Sequence, residues 1–215
     1  MKQNNIEYLR NGITQLGLVL PTEAEEKLQA YLTLLAKWNR IYNLTAVHDE
    51  TLMVSQHLLD SLAVLPHLDT SIIGVGSLAD VGSGGGLPGI PLAIARPQLA
   101  VALIESSHKK ASFLQQAKIE LRLNNVSIYC VRAEDFKPVK LFELVISRAF
   151  SSLAEFVRLG AHLLAPGGRL LAMKGVHPCE EIAQLPADWR IAQSIPLLVP
   201  ELKAQRNLIV IEKTG

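Results

Sequence analysis

The chain has 215 residues, of which 49% are hydrophobic and 19% charged. That composition excludes a disordered chain, and the length supports a full core without a disulfide or metal staple. Lys plus Arg total 21 against 20 Asp plus Glu, a net +1, which argues against a histone-like or polybasic nucleic-acid binder. Aromatics at 5% argue against a stacking platform for single strands. The start, Met1-Lys2-Gln3-Asn4-Asn5, carries no apolar leader, and the longest uncharged run, residues 81–95, is too short and too rich in Gly and Pro to span a membrane. The expected location is the cytoplasm. There Cys130 and Cys179, far apart and without CxxC spacing, are read as buried free thiols, and no metal site is expected.

Residues 1–70 read as a helical extension. A helix is predicted over 22–38, with Thr22 as N-cap, Glu25 three positions on, and Leu28, Tyr31, Leu32, Leu35 and Trp38 on one apolar face. Asn39 suits a helix C-cap, and a second helix is predicted over 49–65, where His57 and Asp60 are spaced as a structural pair. The domain boundary is expected at 70–75, with residues 71–215 forming an α/β domain. Strands are predicted at 77–81, 101–105, 126–131, 144–147, 170–174, 191–198 and 208–212. Helices are predicted at 90–95, 108–123, 153–164 and 179–185. Such alternation specifies a mostly parallel sheet with helices on both faces.

The first strand runs into Asp80-Val81-Gly82-Ser83-Gly84-Gly85-Gly86-Leu87-Pro88-Gly89-Ile90-Pro91. Glycines at a strand end allow positive φ and close backbone approach, and the following helix offers unpaired N–H groups. The second strand ends in Glu105, about 20 residues on, which suits the two hydroxyls of a ribose. After the third strand, Arg132-Ala133-Glu134-Asp135 can edge an adenine. These features fit a dinucleotide or S-adenosylmethionine. A late pair of strands in place of a second βαβαβ half favours the latter, and a small NAD-dependent oxidoreductase stays as the alternative.

The whole pattern resembles the bacterial small-subunit rRNA guanine-N7 methyltransferases, the RsmG or glucose-inhibited division protein B family. The strings that carry the likeness are Trp38-Asn39, Asn43-Leu44-Thr45, His57-Leu58-Leu59-Asp60-Ser61, the glycine loop, Glu105-Ser106, Lys109, Lys110, Phe113, Leu114, Ala133-Glu134, Ile146-Ser147-Arg148-Ala149 and Met173-Lys174-Gly175. The resemblance implies a Rossmann-like class I methyltransferase fold of seven strands, the last antiparallel. It implies S-adenosylmethionine as cofactor and a guanine of the 16S rRNA decoding region as target, met in the 30S subunit or an assembly intermediate. By motif, Gly82, Gly84 and Leu87 line the cofactor through the loop backbone, Glu105 holds its ribose, and Ala133 and Glu134 sit at the adenine. Arg148 lies near the methionine end and the incoming base, a candidate for substrate positioning; no catalytic residue is assigned. A non-catalytic ribosome-associated RNA-binding module is the remaining alternative.

Charge is uneven along the chain. Residues 1–70 hold 5 basic and 8 acidic side chains and the rest 16 and 12. The excess, including Arg96, Lys109, Lys110, Lys118, Arg122, Arg132 and Arg148, reads as a modest phosphate-binding face. Lys174, ending another strand, is a further cation expected on the same edge.

Overall fold

A computed structural model describes residues 3–70, 76–148, 150 and 152–214. Seven strands form one sheet: β1 (Ser77–Val81), β2 (Ala100–Ile104), β3 (Val126–Tyr129), β4 (Phe142–Ser147), β5 (Leu164–Lys174), β6 (Trp189–Pro196) and β7 (Asn207–Lys213). Their order is β3-β2-β1-β4-β5-β7-β6, with β1 to β5 parallel and β7 antiparallel to both its neighbours. The inner strands are apolar along nearly their whole length because both faces are covered.

Strand alternation divides the core in two. On one face Leu78, Leu103, Ile146, Leu171 and Val210 meet α6 (Gly89–Ala95) and α7 (His108–Glu120), beyond which lies the extension. On the other, Ala79, Val81, Val145, Ala172 and Ile209 meet Phe136 and α8 (Leu153–Gly160). The extension consists of α1 (Gln3–Gln15), α2 (Ala24–Tyr42), α3 (Glu50–Met53), α4 (Asp60–Leu62) and α5 (Leu65–Thr70), with a π-helical turn, Val54–Leu59, joining α3 to α4. Its Leu28, Tyr31, Leu32, Leu35, Leu58 and Leu62 belong to the same hydrophobic core as the first sheet face.

Several local expectations need correction. Glu23, not Thr22, occupies the N-cap position of α2, and its side chain caps nothing. Asn39 is inside α2 and buried; the C-cap is Asn43, at φ 49°. Asn39 instead accepts from the Thr45 amide at 2.8 Å and donates to the Val47 carbonyl at 3.1 Å, pinning the loop after α2. His57 pairs not with Asp60 but with Thr45, whose Oγ1 lies 2.8 Å from Nε2. The helix expected over 153–164 stops at Gly160 and tightens into a 3₁₀ turn, Ala161–Leu163; the next, α9, is only Cys179–Ile182. Ala165-Pro166-Gly167-Gly168 is an irregularity inside β5, marked by a shift of register against β4. Cys130 and Cys179 are free but exposed, each 3.3 or 3.2 Å from a histidine Nδ1 (His108 and His177). Residues 71–75 of the expected boundary, and Ala149, lie outside the described residues. Among those described, no helix is long and apolar enough to cross a membrane.

Candidate active site at the carboxyl edge of the sheet

The glycine loop leaves β1 at its carboxyl end and is tied at once to β2. The Gly82 and Ser83 amides donate to the Ile104 carbonyl at 2.9 and 3.2 Å. Gly84 sits at φ +58°, where a β-carbon is disfavoured, and its amide donates to Glu105 Oε2 at 2.9 Å. Further on, Gly89 allows α6 to press on the sheet. A β-carbon there would stand 2.4 Å from Leu103 Cδ2 and 2.7 Å from Asp80 Oδ2. Its amide donates to the same Asp80 oxygen at 2.9 Å.

Glu105 is buried, and its Oε1 takes the Ser107 amide at 2.8 Å. A carboxylate has about four acceptor positions, so with two filled each oxygen keeps one for an incoming donor. Gly82, Glu105, Ala133 and Glu134 line a single cleft of about 160 Å³, with Arg132 and Phe150. Arg132 Nη1 lies 3.4 Å from Glu134 Oε1. Four of the residues singled out by sequence thus converge, and Gly84 joins them through its bond to Glu105. Leu87 does not line the cleft. Its side chain is buried in the core and its amide is used by the Ser83 carbonyl at 3.1 Å. Arg148 points elsewhere too: its Nη1 donates to Asp60 Oδ2 at 3.2 Å and to the Gln56 carbonyl at 3.1 Å.

Beneath the loop is a polar layer that sequence reasoning did not assemble. Tyr31, from α2, donates its hydroxyl to the Gly85 carbonyl. Burial raises its pKa, as the attraction of Arg148 only partly offsets the loss of solvent. Asp80 is fully buried, its Oδ1 has no hydrogen-bond partner among the described residues, and burial pushes its carboxyl up to about 7. The Gly89 amide and Arg148 oppose that rise, while Glu105 adds to it. Burial, then Arg148, pushes His57 down to about 4. A hydroxyl within the leucine stripe of α2 and a carboxylate inside an apolar helix were the available signals for Tyr31 and Asp60. Arg206, which also bonds Asp60, gave none.

The expected basic face is divided. Arg132 and Arg148 are ion-paired. Lys109 and Lys110 lie in the first turn of α7 at the site edge, while Lys118 is in its last turn, roughly 12–14 Å away along the helix axis, and Arg122 follows its end. Lys174 is not solvated; its Nζ lies 2.8 Å from Glu181 Oε2 and 3.2 Å from the Phe150 carbonyl.

Residues 24–210 match the family model described as rRNA small subunit methyltransferase G. A protein of that name from Aromatoleum aromaticum is 56% identical over 209 residues, covering 95% of this chain and 97% of the relative. One from Nitrosospira multiformis is 50% identical over 219 residues, covering 99% of each. Among solved structures, the mitomycin 7-O-methyltransferase MmcR matches with a TM-score of 0.62 at 17% identity, over 76% of this chain and 56% of that one. TrmN from Thermus thermophilus matches with a TM-score of 0.55 at 17% identity, over 74% and 53%. At such identity the structural likeness is one of fold, and it matches the sheet order found here: an α/β, Rossmann-like class I methyltransferase fold. The near-complete match at half or more identity goes further, and the chain belongs to the rRNA small subunit methyltransferase G family of methyltransferases.

Proposed function

We propose that this chain transfers a methyl group from S-adenosylmethionine to N7 of a guanosine in the decoding region of 16S rRNA, in the cytoplasm, within the 30S subunit or an assembly intermediate. The observation that carries the reading is the cleft itself: a glycine loop, a buried acceptor carboxylate and the Ala133-Glu134 wall, all at the carboxyl edge of the sheet, in a chain of this family. The donor set suits that cofactor. Glu105 keeps acceptor positions for two ribose hydroxyls, and Glu134 with Glu105 brings negative charge to a cationic sulfonium. A second βαβαβ half, which a dinucleotide site uses, is replaced by β7 running antiparallel between β5 and β6.

When bound, S-adenosylmethionine supplies an electrophilic methyl group on sulfur. Guanine N7 is a free lone pair at neutral pH, so the chain needs no general base. Its residues have to orient and exclude water. Gly82 and Gly84 place backbone against the ligand, Glu105 fixes the ribose, and Ala133 and Glu134 fix the base. Leu87 supports the loop from below, and Arg148 lies toward the incoming nucleotide. Alignment of this kind supplies on the order of 7–11 kcal/mol in favourable cases. N7 faces a groove that side chains cannot enter in A-form RNA, so the target base is a splayed loop or junction base.

The test is methyl transfer from radiolabelled cofactor to 30S subunits of a deletion strain, with nucleoside mass spectrometry of rRNA from the same cells. Incorporation as 7-methylguanosine is expected. Full retention of every 7-methylguanosine in the deletion strain would overturn the reading. Thermal shift by S-adenosylhomocysteine but not by NAD is expected alongside.

A further inference from the structure

Asp60, in α4 of the extension, has a side chain only 1% exposed and holds a guanidinium on each oxygen. Arg148 Nη1 lies 3.2 Å from Oδ2 and Arg206 Nε 2.9 Å from Oδ1. Arg148 also faces the buried Asp80, whereas Arg206 forms no ion pair besides Asp60 among the described residues, so positive charge is left over on the Arg206 side. A guanidinium that shares one carboxylate with another keeps donors and charge for a further anion.

The surplus faces the open edge of the molecule. Arg148 and Arg206 side chains are 27% and 24% exposed. Arg148 follows the carboxyl end of β4. Arg206 precedes Asn207, which pairs with Lys174 at the carboxyl end of β5. Both therefore stand on the edge that carries the glycine loop. The β6–β7 connection walls a cavity of about 720 Å³, with Gln15, Lys203, Gln205 and Arg206 among its lining residues. Arg206 is tied down through Nε and through an Nη1 bond to the Gln205 carbonyl at 2.9 Å, while its Nη2 has no hydrogen bond among the described residues. Lys203, exposed on the same wall, forms no ion pair among them. A guanidinium oriented in advance and an exposed ammonium on the same wall match a phosphodiester, which accepts both.

We propose that this cavity seats a phosphodiester of the RNA strand that carries the target base, with Arg206 and Lys203 as its cations and Asp60 as the positioning residue that aims Arg206. The inference rests on the reading of the protein as an rRNA methyltransferase.

The test is the salt dependence of 16S rRNA binding, measured beside methyl transfer, for wild type, Arg206→Gln, Lys203→Gln and Asp60→Asn. Each lost phosphate contact should lower the slope of log affinity against log salt by about 0.7. Arg206→Gln and Lys203→Gln should each do so, with binding weakened roughly five- to tenfold at physiological salt, and Arg206→Lys should keep the wild-type slope. Asp60→Asn discriminates by sign. Removing a negative charge as such strengthens RNA binding, whereas loss of positioning weakens it and lowers the slope as Arg206→Gln does. Unchanged slopes in both loop variants, or a raised slope in Asp60→Asn, would overturn the proposal. If Asp60→Asn does not fold, the two loop variants decide the seat. Slopes that differ while wild type transfers no methyl group would sink the functional reading and leave the seat. Methyl transfer with identical slopes would do the reverse.

Discussion

Glu105 serves two ends at the scale of one residue. It is offered to a ribose, yet in the structure it already holds the Gly84 and Ser107 amides. Its loss therefore acts on the loop as well as on the ligand. Glu105→Ala should weaken S-adenosylhomocysteine binding at least tenfold by calorimetry, and should lower unfolding stability by about 1–3 kcal/mol, since two amides lose their acceptor. Unchanged affinity would remove Glu105 from the ribose. The acid at the end of the second strand was legible from spacing alone, because strand length and the glycine loop fix where it must fall. Its amide partners were not, because a backbone donor leaves no mark in the sequence. Leu87 is a second case: its backbone was expected against the ligand, and its amide is taken by the Ser83 carbonyl, a turn bond the motif does not disclose.

At the scale of elements, the loop is held from below by α2. Tyr31 is an apolar-face residue by periodicity, and it does pack in the core, but its hydroxyl also closes on the Gly85 carbonyl. Tyr31→Phe should cost about 1–2 kcal/mol of stability, measured by denaturant unfolding. It should also weaken S-adenosylhomocysteine binding several-fold, because a looser loop must be ordered on binding. Equal affinity in the variant would separate α2 from the cofactor site. Period-3.6 patterning gave α2 to within a few residues, since a long amphipathic helix repeats its signal. It missed α1 and the π turn. The first lies within residues 1–70, read as helical without separate bounds, and the second changes the hydrogen-bond span of a stretch already read as helix. The charge cluster around α7 was misjudged for a related reason: neighbours in sequence are separated by the rise of the helix.

For the whole molecule, two buried groups pull in opposite directions as pH changes. Asp80 keeps its proton in the folded state up to about 7, against 3.8 ordinarily, so its contribution to stability falls as pH rises through that interval. His57 refuses a proton down to about 4, against 6.5 ordinarily, so its contribution falls as pH drops through that interval. Between about pH 4 and 6.5 the two slopes, each about 1.4 kcal/mol per pH unit at most, oppose one another. Relative to wild type, Asp80→Asn should gain stability with rising pH in this window and His57→Gln should lose it, as read by urea unfolding at successive pH values. Parallel curves for wild type and both variants would show that neither group titrates as its burial implies. Neither effect was readable beforehand, since each depends on how deep the chain places a residue rather than on its neighbours in sequence.

The position of β7 also sets an order of events during synthesis. It follows the other six described strands in the chain, yet it is inserted between β5 and β6, and supplies hydrogen-bond partners to both. Until residues 207–213 emerge, β6 has no partner in the sheet and β5 presents a bare edge. A nascent chain of this protein therefore stays sticky until β7 emerges, and the burden of keeping it from neighbouring chains falls on whatever shields it at the ribosome.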